Sequence, residues 1–329
     1  MKAIAYSTFG AAADVLHLTD LPTPDPAPGE VLVRLTHSGV NPSDVKARAG
    51  SRPGVTKPPF ERIVPHSDGA GVIEAVGEGV AATRLGQQVW IWNGQWRRPF
   101  GTAAQMIALP ADQAVPLPGG MRLDEGATLG IPGLTAAHCV FGGGDVSGRT
   151  VLVSGGAGAV GHDAVQLARW GGARVIATAS PADFDRVRAA GAEDVLDYRD
   201  PDLATRLLEL TGGKGVDRAV EVEFGLNAAM LAQAVAENGT VAAYGSALEM
   251  APTLPFGNYL FRAITIDIVL IYLLPAAERA RAIDMLHRAH AAGAFTPAIH
   301  ARFALSDCIA AHQAVEAGRR AGAVLLEIS

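Results

Sequence analysis

Between Thr150 and Gly161 the chain reads Thr-Val-Leu-Val-Ser-Gly-Gly-Ala-Gly-Ala-Val-Gly, with glycines at 156, 158 and 161. An apolar, β-branched stretch leads into them and a helical pattern follows. That is the setting a phosphate-cradling turn requires. Gly156 permits the tight turn, Gly158 lets backbone amides approach a pyrophosphate, and Gly161 lets the helix pack close to the strand. The amides of Ala159, Val160 and Gly161 would open that helix, where unpaired N–H groups and the helix dipole favour an anion. A glycine-rich turn without a ligand is the alternative. At the end of the next strand an NAD site wants an acid for the ribose 2′-hydroxyl, and this chain offers Ala179 and Ser180. With no acid there, NADPH is expected over NADH. Arg186 and Arg188 follow, interleaved with Asp183 and Asp185, so the charges in that stretch are mixed. Gly245 and Ser246 follow a further strand, at the edge where such sheets bind ligands.

Other residues carry chemistry less specifically. Asp44 could orient Asn41 or Lys46, or cap a helix over residues 43–49. Lys46 is either a cationic donor to a substrate oxygen or a solvated lysine. His66 could act as a general acid near neutral pH, or be a structural histidine. Trp90, Trp92 and Trp96 cluster beside Arg97 and Arg98. Alternation puts the first two on one face and packs them in the core. Trp96 is left as a wall for a flat ring, or as an exposed loop residue. No H-x-x-x-H or C-x-x-C spacing marks a metal site.

These residues need elements to position them. The chain has 329 residues, 49% hydrophobic and 18% charged, against about 25% charged in an average domain. That supplies ample core for two domains and argues against disorder. With 27 Lys+Arg against 33 Asp+Glu there is no basic footprint for nucleic acid or an anionic membrane. Two cysteines cannot build a disulfide framework. No signal-peptide pattern or bilayer-length apolar run is read, so a cytoplasmic protein is expected.

Short glycine-punctuated strands at 2–6, 31–38, 72–76, 88–92 and 104–109 predict a partly closed barrel. From about residue 124 strands alternate with helices, which predicts a parallel, doubly wound sheet. The expected organisation is a barrel domain over 1–123, a nucleotide domain over 124–264 and a return to the barrel over 265–329. The apolar run 264–272, if it lies on a sheet edge, would pair with a second copy and make a homodimer. A buried internal strand is the alternative.

Seven motifs occur in order. They are Asn41-Pro42-Ser43-Asp44, Asp68-Gly-Ala-Gly71, Gly77-Glu-Gly-Val80, Gly86-Gln-Gln-Val89, Gly101-Thr-Ala-Ala, Ile131-Pro-Gly-Leu-Thr-Ala136 and the turn ending at Gly161. In this order the sequence resembles the medium-chain dehydrogenase/reductase superfamily, and within it the zinc-free, zeta-crystallin-like quinone oxidoreductases. The resemblance runs the whole length of the chain. It implies a GroES-like β-barrel catalytic domain interrupted by a Rossmann domain, with the active site in the cleft between them. It also implies hydride transfer from NADPH to a quinone or another conjugated carbonyl.

Zinc relatives place their metal ligands where this chain has Asn41, Ser67 and Ile131, so no zinc is expected. By the same resemblance Asn41, otherwise a turn residue before proline, sits beside the nicotinamide and the substrate oxygen, Thr135, otherwise a residue of a helix's first turn, touches the cofactor, and Tyr198 lies at the adenosine end. The family's pocket tyrosines are replaced by Lys46 and Arg52, and its carboxyl-terminal lysine by Ala323. Two alternatives stay open: a 2-alkenal or enoyl double-bond reductase, and an NADPH-binding sensor or structural protein without turnover.

Overall fold

The computed structural model describes residues 1–51 and 54–328, and its contacts divide the chain into two units. Met1–Pro132 with Pro297–Ser329 form one, and Gly133–Thr296 the other.

In the first unit β1 (Lys2–Ala5) and β2 (His17–Asp20) form a hairpin, followed by β3 (Glu30–Val40), β4 (Asp68–Val76), β5 (Gln88–Ile91), β6 (Met106–Pro110) and β7 (Ala114–Pro116). A long antiparallel ladder joins β3 to β4, with register shifts at Leu32/Val33 and Leu35/His37 that curl the sheet. β6 pairs with the opposite edge of β3. Alternation along these strands points Val31, Val33 and Leu35 inward, all 2% exposed or less. Trp90 is fully buried, whereas Trp92, expected on the same core face, is only half-buried, with its indole N–H donating to the Asp112 carbonyl at 3.2 Å beyond the end of β5. Burying a large apolar side chain of this kind contributes about 1.5–3 kcal/mol. This curled sheet is the barrel expected of the first unit.

In the second unit the strands are β8 (Thr150–Val153), β9 (Arg174–Ala179), β10 (Asp194–Asp197), β11 (Val216–Glu221), β12 (Val235–Ala243) and β13 (Thr265–Ile268). They run parallel in the order β10-β9-β8-β11-β12-β13. The chain starts in the middle and winds outward both ways. The strand order therefore reverses between β8 and β11, where open α/β sheets bind ligands. This is the doubly wound sheet expected.

The division of the chain differs from the sequence expectation at both boundaries: the second unit starts at Gly133 and not at 124, and it runs past 264 to Thr296. β13 pairs in parallel with β12, so residues 265–268 extend the parallel sheet of the second unit. The helix Ala276–Ala291 packs on the helix Leu134–Phe141 of the same unit. The first unit resumes only at Pro297, with β14 (Ile299–Ala304) and β15 (Ala323–Glu327), the latter antiparallel to β3. A β-branched run announces a strand, but its partner depends on where the preceding crossover helix delivers it. The run is also short: four residues form the strand, and Ile271–Leu273 coil into a 3₁₀ turn.

Candidate active site

Asn41 follows the last residue of β3, and Asp68 is the first residue of β4. In the antiparallel register Gly39 lies opposite Asp68, which brings side chains 27 positions apart into contact. Asn41 Nδ2 donates to Asp68 Oδ2 at 2.7 Å, and both residues are buried. Pro42 then opens the helix Pro42–Ala49, its fixed φ suiting the first helical position. The Asn41 backbone N–H donates to Asp44 Oδ2 at 2.8 Å, so the Asp44 carboxylate caps the helix start. Burial pushes the Asp68 carboxyl well above the usual carboxylate range, and the charge of Asp44 adds to the shift. The hydrogen bond from Asn41 opposes it without prevailing. The result is an amide anchored by a buried acid that favours its neutral form.

The neighbouring sequence candidates are placed differently. Lys46 is exposed on the helix Pro42–Ala49. Arg52 lies outside the described residues. Trp96 is half-buried, with the Arg97 guanidinium 5.4 Å from its ring centroid. Its loop is tied to the start of β4, because the Gly94 N–H donates to the Ser67 carbonyl at 2.8 Å. His66 is 0% exposed, and both its ring nitrogens are engaged inside the protein, Nδ1 with Ser38 and Nε2 with His312. Burial holds its pKa well below the usual histidine value. A neutral, enclosed ring is not placed to protonate a substrate, which withdraws His66 from the general-acid role.

In the nucleotide-binding unit the turn after β8 is built from Ser154 to Gly158. The left-handed residue of the turn is Gly155, with φ +68. Gly156 instead donates its N–H to the Thr178 carbonyl at 2.8 Å, pinning the turn to β9. Gly161 packs on the turn: a Cβ there would stand 2.1 Å from the Gly155 oxygen. Gly158 precedes the helix Ala159–Trp170 and faces open space, since a Cβ would meet only the Gly155 oxygen at 3.5 Å. Helix geometry leaves the N–H groups of Ala159, Val160 and Gly161 without intrahelical acceptors. These three amides and the uncrowded Gly158 fit a pyrophosphate.

Apart from Thr135, the remaining cofactor candidates in this unit sit after the carboxyl ends of strands. The Ser180 hydroxyl, after β9, donates to Asp183 Oδ2 at 2.6 Å. An acid therefore does stand at the end of β9, supplied by the following 3₁₀ turn and not by the strand. Arg186 lies beside it, Nε 3.9 Å from Asp183 Oδ1, and its guanidinium donates to the Ala157 carbonyl inside the glycine turn. Arg186 is thus a cofactor-site candidate that sequence reasoning weighed only as one of two nearby arginines. Its one legible signal was its distance after the second strand. Tyr198 follows β10, exposed and flanked by the Arg199 guanidinium at 5.4 Å. Gly245 and Ser246 follow β12, and Ser246 Oγ accepts from the Gly225 N–H at 2.9 Å, fastening that loop to a helix start. Thr135 is buried in the first turn of the helix Leu134–Phe141. Glu221, at the end of β11, accepts from the Ser154 hydroxyl at 2.5 Å across the point where the strand order reverses.

A GroES-like barrel and an inserted Rossmann sheet with a glycine turn define a medium-chain dehydrogenase/reductase. Residues 27–119 match the alcohol dehydrogenase GroES-like domain and residues 159–288 the zinc-binding dehydrogenase domain. The chain is 33% identical to rat quinone oxidoreductase over 225 residues, 68% of this chain and 66% of the rat protein. It is 30% identical to human quinone oxidoreductase over 249 residues, 75% of this chain and 73% of the human one. Among solved structures, an NAD-dependent alcohol dehydrogenase superposes with a TM-score of 0.89 at 29% identity, covering 100% of both chains. A mycobacterial protein solved with NADPH superposes with a TM-score of 0.87 at 30% identity, covering 99% of this chain and 100% of the other. The chain belongs to the quinone oxidoreductase family of that superfamily.

The zinc named in one matching family description does not fit the donors found here. At the three positions where zinc relatives hold the metal stand the Asn41 amide, already bonded to Asp68, the Ser67 hydroxyl and the aliphatic Ile131. Zinc sites of this kind are built from thiolates, imidazoles and carboxylates.

Proposed function

We propose that the protein is a zinc-independent, NADPH-dependent reductase of quinones and other conjugated carbonyl compounds. The observation that carries this reading is the Asn41–Asp68 pair. It puts an oriented hydrogen-bond donor where zinc relatives put a metal ligand. A primary amide has two N–H donors. One is spent on Asp68, and the other serves the acceptor's oxygen as negative charge grows on it. A quinone or enone suits such a site, because its own conjugation spreads that charge and no Lewis acid is needed. An ionised Asp68 would oppose the charge, whereas a neutral one does not. Asp68 acts here as a positioning residue. Trp96 supplies a flat apolar wall, and solvent or the exposed Lys46 returns the proton to the product oxygen.

The amides of Ala159, Val160 and Gly161 hold the pyrophosphate, Thr135, Gly245 and Ser246 border the cofactor, and Ser180 and Tyr198 flank its adenosine end. The cofactor supplies the hydride when bound. NADPH is preferred because Arg186 stands at the end of β9 and draws on Asp183, whose carboxylate is already shared with Ser180. The test is NADPH oxidation at 340 nm with a benzoquinone, phenanthrenequinone and a medium-chain 2-alkenal, with a chelator as control. Quinone turnover insensitive to chelator is the expected result. Turnover with the alkenal alone would reassign the protein to double-bond reduction, and none with any acceptor would leave it a cofactor binder.

The homodimer reading also belongs here. β13 is the last strand of its sheet, Ile268 on it is 82% exposed, and Phe261, on the helix that precedes it, is 86% exposed. Edge pairing of two copies would cover both. Light scattering should give a dimer mass, and Ile268→Lys a monomer.

A further inference from the structure

His66 lies on the segment before β4, whereas Cys308 and His312 lie one turn apart on the helix Cys308–Glu316 of the returning segment. One donor atom from each falls within 4.8 Å of the others, and none of the three residues is more than 1% exposed. The two rings stack with centroids 5.1 Å apart and Nε2 facing Nε2 at 2.9 Å.

The protons in this cluster can be assigned. The Thr102 hydroxyl donates to the Asp68 carbonyl, so the Ser38 hydroxyl donates to Thr102 Oγ1. Ser38 Oγ must then accept from His66 Nδ1, which fixes the His66 proton on Nδ1 and leaves a lone pair on Nε2. His312 Nε2–H donates into that lone pair. His312 Nδ1 is left buried with no hydrogen-bond partner among the described residues. Burial drives His312 down to about 3, and the Arg48 charge contributes. Both rings are therefore neutral, the form in which imidazole binds metals. His66 also holds φ +76, a left-handed backbone that a non-glycine residue adopts at a cost.

We propose that His66, Cys308 and His312 form a buried copper(I) site that fastens the returning segment to the barrel. Two imidazoles and one thiolate are three soft-to-borderline donors, the set that suits a thiophilic ion. The charge selects among such ions. Copper(I) with one thiolate adds no net charge to this buried place, where the charges of Asp44 and Arg48 already oppose each other at Cys308, whereas zinc(II) would leave one positive charge on the site. On binding, the Cys308 Sγ–H bond breaks, its proton leaves to solvent and an Sγ–Cu bond forms. The His312 Nε2 proton moves to Nδ1, so that both Nε2 lone pairs meet the ion. No electron is transferred. The His66 Nδ1–H bond to Ser38 orients the ring from behind, as the outer partners of metal-bound histidines do.

The experiment is to express the full chain in copper-supplemented medium and purify it anaerobically. Copper retained against a chromogenic copper(I) chelator is then measured, together with its X-ray absorption. One copper per chain with one sulfur and two nitrogen neighbours is expected. Cys308→Ser and His66→Gly should each weaken retention by at least about tenfold. His66→Gly also relieves the left-handed backbone, and a thermal melt of each variant separates loss of copper from loss of the fold. Cys139→Ser should retain copper. Absence of copper, equal retention by the variants, or zinc held in its place would each overturn the proposal, and the absorption of the unaltered chain decides even if Cys308→Ser does not fold.

Discussion

Asn41 Nδ2 donates to Asp68 Oδ2 at 2.7 Å, from the end of one strand to the start of its antiparallel neighbour. The bond fixes which way the amide faces and consumes one of its two donors. The acid that holds it is buried and biased toward neutrality. Much of the proposed chemistry depends on that arrangement.

Removing the amide with Asn41→Ala should lower kcat for quinone reduction by about 10²-fold, the usual cost of one oxyanion donor. The dissociation constant for NADPH should stay within about a factor of two of the parent. Asp68→Asn keeps a carbonyl acceptor and should rescue most of the activity that Asp68→Ala loses. Steady-state kinetics on the three variants tests this, and equal losses in the two Asp68 variants would refute a positioning role.

Asp68 also predicts a pH dependence of stability. Its pKa is raised on folding, so the native state keeps the proton longer than the unfolded chain. That contribution is complete below the unfolded carboxylate value of about 3.9 and is lost as pH rises through the folded value. Asp68→Asn cannot ionise. Its urea midpoint relative to the parent should therefore climb with pH above about 4 and then level off. A difference that stays constant from pH 4 to 9 would show that Asp68 does not carry the proton.

The glycine turn separates folding from binding. Gly161→Ala puts a Cβ 2.1 Å from the Gly155 oxygen and should cost about 1–3 kcal/mol of stability. Gly158→Ala meets nothing nearer than 3.5 Å and should melt close to the parent. It should still weaken NADPH binding about tenfold, or 1.4 kcal/mol, by crowding the phosphate approach. Thermal melts and fluorescence titration read the two effects independently.

Arg186→Ala should raise KM for NADPH about tenfold, since a charge-assisted bond is worth roughly 1.5–3 kcal/mol, and leave KM for NADH nearly unchanged. Asp183→Asn should move the ratio the other way. If both cofactors respond alike, Arg186 supports the turn through Ala157 and does not read the 2′-phosphate.

What the sequence determined by itself was whatever depends on neighbours along the chain. The glycine turn, the Asn-Pro helix start and the alternation of strands and helices are legible because backbone freedom, proline geometry and burial period act over a few residues. Even there the motif does not say which glycine turns left-handed, which is Gly155, since all the glycines of that turn satisfy the local rule. Tertiary structure decided what depends on register and on the path of the crossovers. Register set Asn41 against Asp68, and packing enclosed His66 against a helix 246 residues later. The nucleotide sheet, not the barrel, received the strand Thr265–Ile268. Those pairings are chosen by how whole faces fit together, and no short stretch of residues records that choice.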